Sequence, residues 1–296
     1  MITRRQFLTA LGGGVALSSG FGGYAFAVEP RFRLVVTEYE LATPRWQHAR
    51  PLRIVALADI HACEPWMPAD RIRAIVDEAN ALGGDIIVIL GDFAAGLGQL
   101  KSAPVPAREW GKALSGLSAP LGVHAIPGNH DWWTNIAEVT ETLSAAGVSV
   151  YQNRAKRFSG SAPFWLAGTD SMVAHRLPGH GNFDGEDDLP GTLAQITDDA
   201  PAIHLAHEPD LFVDVPDRFA VTLSGHTHGG QVRLPFLGRP VVPSAFGQRF
   251  AYGHIREEGR DLIVSAGLGC SILPVRFGVP PEITVVTLKN EAEPIA

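Results

Sequence analysis

Only two of the 296 residues are cysteine, Cys63 and Cys270, so the fold cannot rest on a disulfide framework. Both stand beside expected site loops and are read as free thiols, a single bridge being open to them only if their Cα atoms come close enough. Basic charge is also in short supply. The 24 Lys and Arg stand against 31 Asp and Glu, a net charge of −7, which argues against a nucleic-acid partner. No internal repeat is present and no linker splits the chain, which is long enough for one sizeable α/β core. A long undiluted apolar run is missing too. The uncharged stretch after Arg5 is interrupted by glycine, serine and threonine, which disfavours a stable membrane span.

What is present begins with residues 1–27, which are set apart from the rest. Thr3, Arg4, Arg5, Gln6, Phe7 and Leu8 open the segment and Ala25, Phe26 and Ala27 close it. This resembles a twin-arginine export signal cleaved after Ala27, leaving residues 28–296 as the working domain. Such a signal implies the twin-arginine export machinery as a partner and the periplasm or cell envelope as the destination. That route carries folded proteins, so metals can be loaded in the cytoplasm.

Five short apolar runs then end on clusters of ligand-type residues. Leu52 to Ala58 precedes Asp59 and His61, Asp85 to Leu90 precedes Gly91 and Asp92, and Leu121 to Pro127 precedes Gly128, Asn129, His130 and Asp131. Ala202 to Ala206 leads into His207, and Phe219 to Ser224 into Gly225, His226, Thr227 and His228. Runs of this kind bounded by turn residues read as buried strands, and in α/β folds the carboxyl ends of strands collect ligand-binding residues. The clusters are therefore expected to converge.

Between the runs, Pro68 to Leu82 has the helical spacing Ile72, Ile75, Val76, Ala79, Leu82, and Ala107 to Leu117 and Asn135 to Ala146 read as further helices. Phe32 to Leu41 reads as an outer strand. Beyond Val148 strands are expected at Phe164 to Ala167, Gln231 to Leu234, Asp261 to Ser265 and Ile283 to Leu288, a change of texture that implies two sheets. Ser171 to Pro190 reads as a surface loop with His175 and His180 solvated, and Lys289 to Ala296 as a frayed tail.

A dinuclear phosphoester site needs one carboxylate shared by two cations about 3.5–4 Å apart. Asp92, in a tight turn after the most apolar run, is the candidate bridge. Asp59 and His61, at i and i+2 of an extended segment, suit one cation. His226 and His228 divide between the two, and Asn129 and His207 complete the second. Imidazole, carboxylate and amide oxygen suit Mn, Fe, Zn or Ni and disfavour Ca, and the absence of thiolate ligands marks a catalytic site.

Asp59-x-His61, Gly91-Asp92, Gly128-Asn129-His130-Asp131, His207 and Gly225-His226-x-His228 together resemble, in order and spacing, the motifs of the calcineurin-like metallophosphoesterases. The resemblance spans Leu52 to Leu288. It implies a four-layer α/β/β/α sandwich of two mixed sheets flanked by helices. It also implies one metal on Asp59, His61, Asp92 and His228 and a second on Asp92, Asn129, His207 and His226. His130, left unligated, then stabilises the phosphoryl transition state or protonates the leaving oxygen, and with Asp92 forms the catalytic pair. Asp131 either orients His130 or caps the next helix. Ala62, Cys63 and Glu64, and Phe93, Ala94 and Ala95, depart from the glycine and second acid that many relatives of that family carry after these motifs.

Segments around His207 to Asp210, Gly225 to Gln231 and Leu273 to Phe277 resemble an exported subgroup acting on lipid-linked or envelope phosphoesters. The function expected is hydrolysis of phosphodiester or pyrophosphate bonds by a metal-bridging hydroxide. The competing readings are a phosphomonoesterase, a non-catalytic metal or phosphoryl-binding module, and a nuclease, the last opposed by charge and export. Arg276 and Arg233 are the candidate substrate contacts. Leu234 to Tyr252, apolar with Arg239 and Arg249, reads as a loop over the second sheet or, if exposed, as a peripheral membrane contact.

Overall fold

The computed structural model describes residues 21–94, 102–179 and 181–291. Arg4, Arg5 and His180 therefore lie outside the described residues, as does the chain after Glu291. The first half contributes strands β1 (Val35–Thr43), β2 (Leu52–Leu57), β3 (Ile86–Ile89), β4 (Val123–Ala125) and β5 (Ser149–Val150). The second contributes β6 (Arg154–Phe158), β7 (Phe164–Gly168), β8 (Ala202–Leu205), β9 (Val221–Ser224), β10 (Gly253–Glu257), β11 (Arg260–Val264) and β12 (Glu282–Asn290). Helices α1 (Ala69–Ala81), α2 (Ala107–Leu114), α3 (Asn129–Thr134) and α4 (Ile136–Ala145) fall between the early strands.

Two six-stranded sheets result, ordered β1-β12-β2-β3-β4-β5 and β10-β11-β9-β8-β7-β6. In the first, β12 runs antiparallel to β2 and every other neighbour pairs in parallel. In the second, β7, β8, β9 and β11 are parallel and the edge strands β6 and β10 are antiparallel to their neighbours. Both are mixed sheets.

Alternation of side chains along each strand builds the layers. Val55, Leu57, Ile87 and Ile89 face outward onto Ile72, Ile75, Val76 and Trp110 of the helices. Ile54, Ala56, Ile86 and Val88 face inward and meet Leu166, Ile203, Leu205, Val221 and Leu223 of the second sheet. The far side of that sheet is covered by Leu189, Leu211, Phe212 and Phe250, which come from short helical turns. This is the four-layer α/β/β/α arrangement. Among the described residues no helix is long and apolar enough to cross a membrane.

Several local expectations are corrected. The outer strand starts at Val35, not Phe32, because Glu29–Phe32 forms a helical turn opened by Pro30. Gln231 to Leu234 is not a strand; Val232 makes one isolated bridge to Phe277. Lys289 and Asn290 are not frayed but pair with Ala42 and Thr43. A two-residue hairpin, His175–Arg176 against Phe183–Asp184, stands within the expected loop. Residues 21–27 contact the loop after β11. Ala25 is buried, its carbonyl accepts the Arg276 N–H at 2.9 Å, and Phe21 and Tyr24 meet the Phe277 ring edge-on. Just beyond, the buried Glu29 carboxylate accepts the Val279 N–H at 2.9 Å. Cys63 and Cys270 are free, buried thiols sharing a small apolar cluster with Trp66.

Candidate metal centre

The expected ligands all leave the carboxyl ends of parallel strands. Asp59 and His61 follow β2, Asp92 follows β3, Asn129 follows β4, His207 follows β8, and His226 and His228 follow β9. Asp59, His61, Asp92, His226 and His228 each hold a positive φ, between 46° and 66°. Left-handed backbone costs a non-glycine residue energy, and five cases at one site indicate that tertiary structure imposes the geometry for its function.

Ligand atoms of Asp59, His61, Asp92 and His228 lie within 4.8 Å of one another, and so do those of Asp92, His207 and His226. Asp92 belongs to both groups. Its Oδ2 is 3.4 Å from His61 Nε2 and 3.3 Å from His207 Nε2. Asn129 Oδ1 stands 3.1 Å from His207 Nε2 and 2.8 Å from His226 Nδ1, which adds the amide oxygen to the second group. His61 Nε2 and His228 Nε2 approach to 3.0 Å.

Orientation comes from the backbone. His61 Nδ1 lies 3.0 Å from the Ala94 carbonyl and His207 Nδ1 2.5 Å from that of Leu90. In each ring an N–H at Nδ1 donates to the carbonyl and leaves Nε2 to face the cluster. Thus Ala94 serves the site through its main chain.

The residues fit a pair of divalent cations. Asp59 Oδ2 is fully buried and has no hydrogen-bond partner. A Cβ on Gly267 would come within 2.6 Å of that oxygen and one on Gly225 within 2.9 Å, so both positions hold the space around it open. Burial pushes the Asp59 carboxyl up to about 7, with Asp92 adding to the rise against the pull of His207. Burial would raise Asp92 as well, but His207 and His130 hold it well below the usual carboxylate range. Two buried carboxylates packed among imidazoles need added positive charge.

His130 contributes no atom to either ligand group. Its backbone N–H donates to Asp92 Oδ1 at 2.8 Å, and its Nε2 lies 3.2 Å from Ser271 Oγ. The ring meets His61 edge-on at 4.8 Å and Trp133 at 4.7 Å. Burial drives its pKa down to about 3 against the opposing charge of Asp92, so the imidazole is neutral.

Asp131 does not touch the His130 ring. Its carboxylate accepts the N–H groups of Asp92 and Gly128 on one oxygen and those of Phe93 and Ala94 on the other, at 2.9–3.0 Å. It clamps two ligand loops and caps α3. Arg276 also departs from expectation: it is fully buried, with its guanidinium bonded to the carbonyls of Gly269, Ala266 and Val279 and 3.4 Å from His228 Nδ1. It supports the ligand from behind. Arg233 is exposed on the loop beyond His228.

Ser271 was not foreseen. The signal for it was the strand-end rule itself, since β11 is parallel to β9 and its carboxyl end leads through Gly267 to Ser271. Trp133 was also missed. It stacks on Phe183 and carries the Arg176 guanidinium at 3.6 Å, which makes the small hairpin one wall beside His130.

Comparison with known proteins agrees with this geometry. A model of the calcineurin-like phosphoesterases matches residues 52–230. The uncharacterized metallophosphoesterase YkuE of Bacillus subtilis (strain 168) is 32% identical over 98% of this chain and 98% of its own length. Phosphodiesterase YaeI of Escherichia coli (strain K12) is 30% identical over 97% of this chain and 100% of its own. The structure of Haemophilus influenzae NAD nucleotidase is 12% identical with a TM-score of 0.49, covering 75% of this chain and 51% of that one, so the chain spans about half of that protein. From the family match and two relatives that align along nearly the whole chain, this protein belongs to the calcineurin-like phosphoesterase family.

Proposed function

We propose that the protein hydrolyses phosphodiester or pyrophosphate bonds of cell-envelope or lipid-linked substrates, using two divalent cations of the Mn, Fe, Zn or Ni type. The observation that carries the reading is the arrangement of seven ligands in two groups sharing Asp92, with a neutral His130 beside them and outside both. Asp59, His61, Asp92 and His228 would hold one cation and Asp92, Asn129, His207 and His226 the other. When bound, such a pair polarises a phosphoryl oxygen and makes water a nucleophile near neutral pH. The chain's own residues then position the reaction. Asp92 holds the His130 backbone, Ser271 holds its ring, and the imidazole is set to donate a hydrogen bond to an oxygen of the reacting phosphoryl group.

A diester is favoured over a monoester by the charge around the cluster. Arg276, the arginine packed against His228, has its guanidinium engaged by carbonyls and cannot clamp the second charge of a monoester dianion. The Escherichia coli relative, named a phosphodiesterase, points the same way. Export through the twin-arginine machinery to the periplasm or envelope is part of the proposal, supported by the Arg4-Arg5 motif and by the surface position of Phe26, Ala27 and Val28 around the expected cleavage bond.

The test is metal analysis of purified protein together with hydrolysis of bis-p-nitrophenyl phosphate and p-nitrophenyl phosphate over added Mn, Zn, Ni and Mg. Two cations per chain and faster diester cleavage are expected. Faster monoester cleavage would transfer the assignment to a phosphomonoesterase, and bound metal without turnover of any phosphoester would transfer it to a binding module.

A further inference from the structure

Ser271, in contact with His130, places the loop that follows it at the rim of the site. There Ile272 and Leu273 turn outward, 58% and 43% exposed. Gln231 joins this loop to a second one, accepting the Ser271 N–H at 2.7 Å and donating to the Leu273 carbonyl at 3.2 Å. The second loop continues into a tight hairpin closed by the Leu234 and Gly238 backbones, and its tip carries Phe236 and Leu237 at 107% and 72% exposure. Both loops are fastened again where the Arg233 N–H donates to the Phe277 carbonyl.

Two costs are incurred at these tips. Large apolar side chains stand in water, and Phe236 and Ile272 hold φ values of 66° and 65°. For a β-branched residue such as Ile272 a left-handed backbone is an outlier, kept where the structure over-determines it for function. Among the described residues neither cost has an offset.

Charge indicates what covers the tips. Arg233 and Arg239 flank the hairpin near enough for each to feel the other's charge. Among the described residues neither has a carboxylate in ion-pair range, although the chain carries a net charge of −7. The loop is thus locally cationic on an acidic protein, complementary to an anionic surface. A bilayer interface receives exposed apolar tips of any shape beside its anionic headgroups.

We propose that the loops 234–238 and 271–273 dock the protein on an anionic lipid bilayer and hold the phosphoester site at headgroup level. This deepens the reading above by naming where its substrate lies, and rests on that reading only for the bond that is cleaved.

Flotation of the full chain with phosphatidylcholine vesicles, with and without about 30% phosphatidylglycerol, tests it. The protein is expected to float with the anionic vesicles, and Phe236→Asp/Leu237→Asp to reduce the floated fraction about tenfold, with its thermal unfolding midpoint reporting that the fold is kept. Arg233→Glu is expected to weaken the preference for phosphatidylglycerol. Absence of flotation, or equal flotation of the double variant, overturns the proposal, the latter assigning retention to the N-terminal segment. A concentration-dependent dimer that the double variant abolishes, without vesicle binding, overturns it in favour of a second copy. Vesicle binding without soluble-diester turnover would instead sink the hydrolase reading alone.

Discussion

A histidine beside a phosphoryl group can act as an acid or as a neutral hydrogen-bond donor, and the surroundings of His130 decide between them. Burial brings its pKa down to about 3, and the positive charge of bound cations would lower it further. An imidazole so far below neutral pH is a poor source of protons, yet its N–H still stabilises charge developing on oxygen. We therefore expect His130→Ala to lower kcat by about 10²–10³-fold, the loss typical of one preorganised donor, with metal content unchanged. His130→Gln, which retains a neutral N–H, should recover a large part of that loss, and the acid limb of the pH profile should keep its position in both variants. A limb that moves in His130→Gln would show that the ring delivers a proton. The residue scale also shows where sequence reading stops. His130 stood out as the histidine left over in a run of ligands, and Arg276 as a candidate substrate contact, but Ser271 and the packing of Arg276 behind His228 did not show, because an isolated serine or arginine carries no period and its partners lie far along the chain.

At the scale of elements, the site is a set of strand-to-loop exits held in register by one carboxylate. Asp131 sits in the first turn of α3 and accepts four backbone N–H groups from the loop after β3 and the loop before α3. Replacing it with asparagine turns an acceptor into a donor facing N–H groups and leaves buried donors unpaired, each at about 1–3 kcal/mol. Asp131→Asn should thus cost about 3 kcal/mol, lower the melting temperature by about 5 °C and reduce metal occupancy. Asp70→Asn, on the exposed face of α1, is the control and should stay within about 0.5 kcal/mol. A melting curve for Asp131→Asn that matches the control would remove the clamp. The central strands were legible because β2, β3, β8 and β9 are buried on both faces and read as mostly apolar runs. The edge strands β6, with the sequence RAKRF, and β10, with GHIRE, were not, since charged side chains on a half-solvated strand erase that signal. The two-residue hairpin at His175–Arg176 is too short for any periodicity to show.

For the molecule as a whole, the packing of two sheets forces five loops together and buries ionisable groups that the folded chain alone leaves unbalanced. The order of the five motifs made this convergence readable, whereas the seating of residues 21–32 on the Arg276–Val279 loop depends on contacts some 250 positions away that no local pattern encodes. Bound cations should accordingly stabilise the fold by mass action, about 3 kcal/mol when free metal exceeds its dissociation constant a hundredfold. For a chain of this size that corresponds to about 5 °C in melting temperature. The difference should depend on pH through Asp59, whose folded carboxyl is raised from 3.8 to about 7 by burial. Above pH 7 the metal-free protein holds this carboxylate ionised and poorly compensated, a penalty that the unfolded chain escapes. Between 7 and 3.8 the folded state takes up a proton that the unfolded state does not, so the metal-free form gains relative stability as pH falls. The same proton competes with the cation for Asp59. Thermal unfolding of chelated and Mn- or Zn-loaded protein should therefore differ most above pH 7 and converge toward pH 5. A gap that is constant across this range, or that widens in acid, would show that Asp59 does not face the bound metal.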